Sequence, residues 1–361
     1  MTQEDQREER SPQQAADQVF PVIHRRRLFE VAGLTAATAA LASCGSIGQP
    51  SSSTNQSSSG SGWAKGIHIR FFVGGNPGDA FASIVLNGAK RAQADLGPTV
   101  DYIFSGWDVE TMTNQLREAV AARPDAIAMM GHPGDTAILP LAQQAHSLGI
   151  VMEYQNVDVP QVRSQFGGGY IGADLTPQGA ALGQQAISLF GLKSGDKAIV
   201  FGAWGQPGRY LREEGTAKAL ETAGLIVTRI VSPPAAASDP NLLTPILSSA
   251  FLRSPNTKLI VQAGGQTLAS TQQYMQAIGK GPGQVYNIGF DLNPSVLDAI
   301  KSGYVQLTSD QQPFLQGYLP ILSVCLTKKW LFSPLAYDTS ASFVTNNNYQ
   351  PFTEFVKEGI R

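Results

Sequence analysis

Short apolar segments alternate with longer amphipathic segments along most of the chain, and this alternation constrains the fold more than any other feature. The first two apolar segments, residues 67–73 and 100–105, flank an amphipathic segment of helical length, residues 81–96. Further strand-like segments lie at 125–131 and 149–155. Strands separated by helices of about 10 to 15 residues form right-handed βαβ units in a parallel sheet. The pattern therefore predicts a doubly wound α/β lobe.

The same pattern then begins a second time. Strands are expected at 168–175, 197–203, 225–231, 257–264 and 285–291, followed by a long helix over 313–331 and an extended tail over 335–344. The sequence thus predicts an α/β protein of two doubly wound, Rossmann-like lobes with an interlobe cleft. The expected N-terminal lobe comprises 66–168 and 312–341, and the expected C-terminal lobe comprises 169–311 and 342–361.

Three consecutive glycines stand where the two expected lobes meet. Gly167, Gly168 and Gly169 separate the last segment of the first cycle from the first segment of the second. Glycine adopts backbone conformations that other residues avoid, so it absorbs a change of dihedral angles at low cost. We expect these glycines to form the hinge between the lobes.

The N-terminal region has the layout of an export signal. Three arginines at 25–27 precede the uncharged segment 31–43, which at 13 residues is too short to cross a bilayer core of about 30 Å. Leu41-Ala42-Ser43-Cys44 resembles the bacterial lipobox, and Arg26-Arg27 resembles a twin-arginine export motif. We expect residues 1–43 to be a signal peptide and Cys44 to be lipidated. Residues 44–65, rich in serine and glycine, are expected to be a flexible linker to the membrane.

Charge and cysteine content limit the possible partners. The formal net charge is −2, and no long basic run lies outside the signal, so we expect no nucleic-acid partner. If Cys44 is acylated, Cys325 has no cysteine to pair with, and its apolar neighbours predict a buried helical position. Catalytic and metal-binding motifs such as G-x-S-x-G, H-E-x-x-H and C-x-x-C are missing from the sequence. We expect no cofactor, no metal, no enzymatic activity and a monomeric protein.

Polar and aromatic residues follow the predicted strands, where open parallel sheets bind their ligands. The candidates after strands of the first cycle are Asp79, Phe81, Trp107, His132 and Asn156, and those after strands of the second cycle are Trp204, Arg209, Tyr210, Gln266, Asp291 and Gln311. Planar polar groups bind vicinal hydroxyls and aromatic faces cover the C–H surface of a sugar, so this set predicts a sugar or polyol site. Three of these residues also have structural readings: Asp79 as a helix N-cap, Phe81 as a core aromatic and His132 as a structural imidazole.

Several short motifs carry a family resemblance over roughly residues 66–345. They are Gly78-Asp79-Ala80-Phe81, Gly172-Ala173-Asp174, Ile288-Gly289-Phe290-Asp291 and Gln311-Gln312-Pro313. With these motifs the chain resembles the ribose-binding-like, type I periplasmic solute-binding proteins of ABC sugar importers. The resemblance implies capture of a sugar outside the cytoplasm and delivery to ABC permease subunits, and the lipobox at Cys44 adds the expectation of a lipid-anchored location at the cell membrane.

Two departures from the family pattern concern the ligand. Tyr210 stands where the family has a cleft arginine, with Arg209 beside it as a possible substitute. Gly264 and Gly265 precede Gln266 where many members have Asn-Asp, which removes two polar contacts and opens space. A linear polyol, a smaller sugar or a modified sugar would each fit this change.

Two alternative functions remain open from the sequence. A ligand sensor that reports to a membrane receptor has the same compartment and the same cleft. A carbohydrate-active enzyme outside the cytoplasm is the weaker alternative, because no catalytic motif supports it. A transcriptional regulator of this fold is disfavoured by the export signal.

Overall fold

The folded part of the chain starts just before the first strand. The computed structural model describes residues 62–361 except 207, 238 and 341, so the expected signal peptide, Cys44 and most of the expected linker lie outside the described residues. Two residues of that linker are already packed on the fold. Trp63 stacks on Trp330 with ring centroids 4.3 Å apart, and the buried Ala64 donates its N–H to the Leu96 carbonyl at 2.9 Å. The linker therefore ends before residue 63 and not at residue 65.

The strands and helices follow the alternation in the sequence. The strands are β1 (His68–Gly74), β2 (Thr99–Phe104), β3 (Ala126–Met130), β4 (Val151–Gln155), β5 (Gly169–Gly172), β6 (Lys197–Gly202), β7 (Ile226–Val231), β8 (Thr257–Val261), β9 (Tyr286–Phe290), β10 (Leu307–Ser309), β11 (Ala336–Asp338) and β12 (Phe343–Val344). The helices are α1 (Ala80–Leu96), α2 (Val109–Ala121), α3 (Gly134–Ser147), α4 (Pro160–Phe166), α5 (Leu175–Phe190), α6 (Leu211–Thr222), α7 (Leu243–Arg253), α8 (Gly265–Ala269), α9 (Thr271–Ala277), α10 (Pro294–Lys301), α11 (Pro313–Trp330) and α12 (Thr353–Lys357). Across the described residues, no helix combines the length and the apolar character needed to span a membrane.

The strands form two sheets with the same internal order. The first sheet runs β11-β5-β4-β3-β1-β2 and the second runs β12-β10-β9-β8-β6-β7. All neighbouring pairs are parallel except β10 with β12, which is antiparallel. The predicted fold class of two doubly wound α/β lobes is confirmed. The repeated order reflects the two cycles of the sequence pattern.

The division between the lobes differs from the expected one. β5 was expected to open the second lobe, but it pairs with β4 in the first sheet, in register Glu153 to Gly169. The chain passes between the sheets at three places, residues 173–174, 310–312 and 339–342. Gly167 and Gly168 directly precede β5 and Gly169 is its first residue, so all three lie within the first lobe. These glycines are therefore not the hinge, and the expected boundary at residue 169 moves to about residue 173.

Helix starts after the first two strands are fixed by aspartate side chains. Asp79 caps α1 by accepting hydrogen bonds from the N–H groups of Phe81 and Ala82, both at 3.1 Å. Asp108 caps α2 by accepting from the N–H of Thr111 at 2.7 Å. Such caps satisfy N–H groups that have no partner within the helix. They fix where the loops after β1 and β2 end, and with them the positions of the side chains those loops carry.

Each lobe contains one very close helix pair that depends on glycine. A Cβ atom at Gly88 of α1 would overlap the Phe314 carbonyl oxygen of α11, and one at Gly179 of α5 would overlap the Arg212 carbonyl oxygen of α6. Only a residue without a side chain allows these backbones to approach so closely. The second contact holds the start of α6 against α5 and thereby positions Arg212.

The apolar core covers both faces of each sheet. β3 is buried throughout, and the cluster around β1, β3 and β4 also includes Cys325 of α11, which is fully buried as predicted. Separate clusters lie on the two faces of the second sheet. Both sheets and all these clusters are built from residues 64–356, so the part from residue 62 onward contains everything needed to fold by itself.

Candidate functional site

A cleft lies where the carboxyl ends of strands from both sheets meet. The cleft encloses a cavity of about 130 Å³. Because one water needs roughly 10 to 15 Å³ of such space, the cavity has room for on the order of ten water-sized groups, the size of a monosaccharide. Nine of the predicted site residues line it: Asp79, Phe81, Trp107, His132, Asn156, Arg209, Gln266, Asp291 and Gln311. The rule that ligands bind beyond the carboxyl ends of parallel strands therefore located the cleft.

Three rings of the first lobe form an aromatic wall. The Trp107 ring centroid lies 5.8 Å from that of Phe81 and 5.4 Å from that of His132. Gly74 and Gly75 leave the space for the indole, since a Cβ atom at either position would come within 3 Å of the Trp107 ring. An aromatic face next to polar groups is the surface on which sugar C–H groups pack.

Asp79 is held in place by the same wall. Besides capping α1, its carboxylate accepts a hydrogen bond from the Trp107 indole N–H at 2.8 Å. Burial raises the pKa of Asp79, and the hydrogen bonds from Trp107 and the helix N–H groups only partly oppose this shift. The two readings of Asp79 are thus compatible, because a capping carboxylate at this position also lines the cleft.

His132 contributes a neutral imidazole. It is 4% exposed, and its Nδ1 atom is buried without a hydrogen-bond partner in the structure. Burial, together with the positive charges of Arg209 and Arg212, lowers the pKa of His132 to about 3. The ring is therefore uncharged at neutral pH and offers the cleft a hydrogen-bonding group without a net charge.

A chain of amides links the two lobes across the cleft. The Asn156 amide donates to Gln316 Oε1 at 3.0 Å and to Gln311 Oε1 at 3.5 Å. The Gln311 amide donates to Asp291 Oδ1, while Asp291 Oδ2 accepts the N–H of Gly265 at 2.9 Å. Gln311 lies on one of the three crossings between the lobes. A change in the relative orientation of the lobes would therefore alter the hydrogen bonds of Asn156 and Asp291.

Four non-glycine residues at or beside the cleft have left-handed backbone conformations. Trp107, Asn156, Asp291 and Gln312 have φ angles of 62°, 65°, 75° and 52°. Such conformations cost free energy for residues with a side chain, although asparagine and aspartate tolerate them better than others. Backbone strain of this kind concentrates at binding sites, where it fixes side-chain direction. Its occurrence here is independent support for the location of the site.

Two arginines of the second lobe line the cleft, and a buried glutamate pairs with both of them. Arg212 is 3% exposed, its guanidinium lies 4.3 Å from the centroid of the Phe290 ring, and it donates to the Ala263 carbonyl. Arg209 also donates to Ala263, at 3.2 Å, and both guanidinium groups bond Glu213, which is fully buried. Burial lowers the pKa of Arg212, and the neighbouring Arg209 adds to that shift. This network holds positive charge in the cleft while Glu213 partly neutralises it.

Gly264 leaves an opening between the two charged groups of the second lobe. A Cβ atom there would lie 3.7 Å from Asp291 Oδ2 and 3.8 Å from the Arg212 guanidinium, which are ordinary contact distances. A side chain would therefore fit, and glycine leaves that volume open. This agrees with the space expected at Gly264. Gly265 differs from the expectation, because a Cβ atom there would lie 2.9 Å from the Asn293 amide nitrogen and 3.0 Å from Asp291 Cβ, so this glycine permits close packing and opens no space.

The structure does not bring two predicted site residues into the cleft. The Trp204 indole N–H donates to the Ile230 carbonyl at 2.9 Å, and the Arg229 guanidinium lies over the ring at 5.6 Å from its centroid. Tyr210 packs beside Trp204, with ring centroids 6.3 Å apart. Neither residue lines the cavity. Trp204 has the expected place in the chain, but its side chain is engaged by β7 outside the cavity.

Several residues that line the cleft were not predicted. They are Arg212, Ala203, Gln206, Ser232, Pro233, Ala263 and Thr267. Ser232 and Pro233 follow β7 directly, so the rule that found the other residues would also have found them. Arg212 lies within α6 and does not directly follow a strand, so the rule about strand ends does not identify it. The family resemblance predicted the cleft arginine at the position of Tyr210 instead. Among the described residues, no group of three His, Cys, Asp or Glu side chains is arranged to hold a metal ion.

Comparison with a family of known proteins agrees with this geometry. Residues 70–325 match the periplasmic binding protein domain. The chain is 30% identical over 260 residues to the xylose/arabinose-binding protein XylF of Sulfolobus acidocaldarius, an alignment that covers 68% of this chain and 62% of that protein. The chain thus spans somewhat less than two thirds of the length of this relative.

Solved structures show the same fold at low sequence identity. A carbohydrate transporter from Acidothermus cellulolyticus in complex with myo-inositol has a TM-score of 0.71 at 23% identity, covering 82% of this chain and 99% of that one. A solute-binding protein from Burkholderia graminis in complex with D-arabinose has a TM-score of 0.70 at 21% identity, covering 80% and 99%. A third, from Agrobacterium vitis with α-D-tagatopyranose, has a TM-score of 0.71 at 20% identity, covering 81% and 99%.

These matches decide the family. The domain match extends over more than two thirds of the sequence, and the two-lobed fold is that of the type I periplasmic binding proteins. This family comprises extracytoplasmic solute-binding proteins and not enzymes, which removes the enzymatic alternative and agrees with the expected compartment. The chain is therefore a member of the periplasmic binding protein family, as its resemblance to the ribose-binding-like proteins of ABC sugar importers implied.

Proposed function

We propose that this protein captures a sugar or sugar alcohol in the cleft between its lobes and delivers it to the permease of an ABC importer. The cleft carries this proposal, because it combines an aromatic wall from one lobe with carboxylate, amide and guanidinium groups from both. Hydroxyl groups both donate and accept hydrogen bonds, so a polyhydroxylated ligand can satisfy such a mixed set. The named sugars of the relatives support the same ligand class.

The ligand class is a neutral monosaccharide, a cyclitol or a related polyol. Room for on the order of ten atoms favours a single ring over an oligosaccharide. Arg209 and Arg212 are balanced by Glu213 and Asp291, so the site does not select a strongly anionic ligand. The opening at Gly264 can admit a ring substituent toward Asp291 and Arg212.

A ligand panel tests the proposal. Thermal unfolding is measured in the presence of pentoses, hexoses, sugar alcohols and myo-inositol. A ligand at 100 times its dissociation constant stabilises the folded state by about 2.7 kcal/mol, which is readily detected. A panel in which no compound raises the melting temperature would refute a sugar or polyol ligand.

Replacement of Asp291 by alanine should weaken ligand binding. The carboxylate is 5% exposed, and it aligns Gln311 and the Gly265 N–H at the cleft. Removing a buried hydrogen-bonding partner costs on the order of 1 to 3 kcal/mol, which corresponds to a roughly 5-fold to 150-fold higher dissociation constant. Calorimetric titration with the best ligand of the panel measures this dissociation constant. Asp298→Ala in the same lobe, whose side chain is 74% exposed, is the matched control and should bind normally. Equal affinity in the two variants would exclude Asp291 from the site.

Membrane anchoring through Cys44 is part of the same proposal. Its support is the sequence alone: the arginines, the short apolar segment and the Leu-Ala-Ser-Cys motif stand in the order of a lipoprotein signal. Cys44→Ala should lower the share of the protein found in the membrane fraction of cells, because the acyl chains attach to that cysteine. The control is Cys325→Ala, which removes a buried thiol without altering the signal. Retention of the Cys44→Ala protein in membranes at the wild-type level would contradict lipidation there.

A further inference from the structure

An exposed aromatic patch lies at the end of the first lobe. It consists of Trp63, Trp330, Leu331 and Phe332, and we call it the aromatic patch. Trp330, Leu331 and Phe332 are 50%, 89% and 57% exposed. Trp63 stacks on Trp330, and the Phe332 ring meets Trp330 edge to face at 6.3 Å. Adjacent large apolar side chains exposed in this way mark an interaction surface.

The end of helix α11 does not explain why a leucine occupies position 331. It caps α11 with a φ angle of 57°, a conformation that favours glycine or asparagine. Its side chain is almost fully exposed, so it gains nothing from packing in the isolated protein. A leucine that is both strained and exposed indicates a contact made outside the folded chain.

The aromatic patch lies at the opposite end of the lobe from the cleft. Trp63 precedes β1, and Lys328 at the end of α11 pairs at 3.6 Å with Asp125, which precedes β3. The cleft residues follow the other ends of these strands. Because β1 has seven residues, the two ends are separated by roughly 23 Å. The chain that precedes Trp63, including Cys44, therefore joins the fold at the aromatic patch and away from the cleft.

We propose that the aromatic patch rests on the lipid bilayer to which the protein is tethered. Tryptophan is the residue most characteristic of the bilayer interface, and phenylalanine and leucine insert slightly deeper. The exposed Lys65 and Lys329 flank the tryptophans and favour anionic headgroups. In this position the cleft points away from the bilayer, toward incoming solute. This proposal depends on the proposed function in one respect: the proposed tether keeps the protein at a high local concentration next to the bilayer.

Vesicle flotation of the part from residue 62 onward tests the proposal, because that part contains both sheets and the core. We expect it to float with vesicles of phosphatidylcholine and phosphatidylglycerol. Leu331→Asn should lower the partition coefficient about tenfold, the effect of losing one buried leucine side chain. Asparagine suits the left-handed backbone at this position, so the variant should fold at least as well as the parent protein.

A matched control separates the patch from general apolarity. Leu252→Asn removes a leucine that is 81% exposed on α7 of the other lobe, and it should leave flotation unchanged. The proposal is overturned if the protein does not float, if both variants lose flotation equally, or if Leu331→Asn floats as well as the parent. It is also overturned if sedimentation shows that the patch instead joins two copies of the chain. Sugar binding is measured on the same samples, so failure of flotation is distinct from failure of the proposed function.

Discussion

Between about pH 5 and pH 9 the protein should lose roughly 4 kcal/mol of stability through the titration of one side chain, Glu153. Glu153 is fully buried in β4, and burial raises its pKa from 4.5 to about 8. Hydrogen bonds from the Ser323 hydroxyl and the Gly169 N–H oppose this shift only in part. The folded state keeps a proton that the unfolded chain releases. The contribution of Glu153 to the free energy of unfolding is therefore complete below about pH 4.5 and is lost as the pH rises to about 8.

Glu153→Gln isolates this contribution. Glutamine keeps a carbonyl oxygen for Ser323 and Gly169 but cannot ionise. Urea unfolding at about pH 5 and pH 9 should show a loss of stability that is smaller in the variant by roughly 4 kcal/mol. Glu354→Gln, at a side chain that is 74% exposed, is the control and should keep the wild-type dependence. The same loss in Glu153→Gln and wild type would mean that Glu153 is already ionised at neutral pH.

Arg212→Met should destabilise the protein by on the order of 3 kcal/mol and abolish tight ligand binding. Methionine replaces the apolar stem of the arginine but not its charge, so the buried Glu213 carboxylate is left with the partly exposed Arg209. Removing one partner of a buried ion pair is costly because the remaining charge stays desolvated. The cleft also loses the guanidinium held against Phe290 and Ala263. Urea unfolding and calorimetric titration measure the two effects.

The control for Arg212 is an arginine with carboxylate partners at the surface. Arg229 pairs with Glu214 at 3.1 Å and with Glu221, and its side chain is 33% exposed. Surface ion pairs contribute about 1 kcal/mol or less, so Arg229→Met should be mildly destabilised and should bind ligand normally. If Arg212→Met proved as stable as Arg229→Met and bound ligand as well, the buried network would have no role in folding or binding.

The order of residues along the chain predicted much of the cleft lining, because the ends of strands can be recognised from the local sequence pattern. Asp79, His132 and Asp291 each follow an apolar strand, and parallel sheets bring such positions to one edge. Trp204 also follows an apolar strand, yet its indole N–H donates to the Ile230 carbonyl of β7 and its side chain lies outside the cleft. Which way a side chain leaves a loop depends on neighbours that are distant in sequence, and no local pattern contains that information.

Arg212 was missed for a related reason. Arg212 is the second residue of α6, and it reaches the cleft because α6 packs against α5 at Gly179 and because the Ala263 carbonyl accepts its hydrogen bond. Both contacts join residues that are tens of positions apart in the chain. The family pattern predicted a cleft arginine at the position of Tyr210, but Tyr210 packs against Trp204.

By itself, the sequence determined the α/β class, the two cycles and the sheet edge at which the cleft lies, because hydrophobic periodicity and strand ends are local properties. The tertiary structure decided which sheet β5 joins, where the chain crosses between lobes and which arginine reaches the cleft. Gly169 pairs with Glu153, and Arg212 donates to Ala263; both contacts depend on pairing across the fold. Pairing is set by the free energy of the whole packed structure, and the local pattern is compatible with more than one such arrangement.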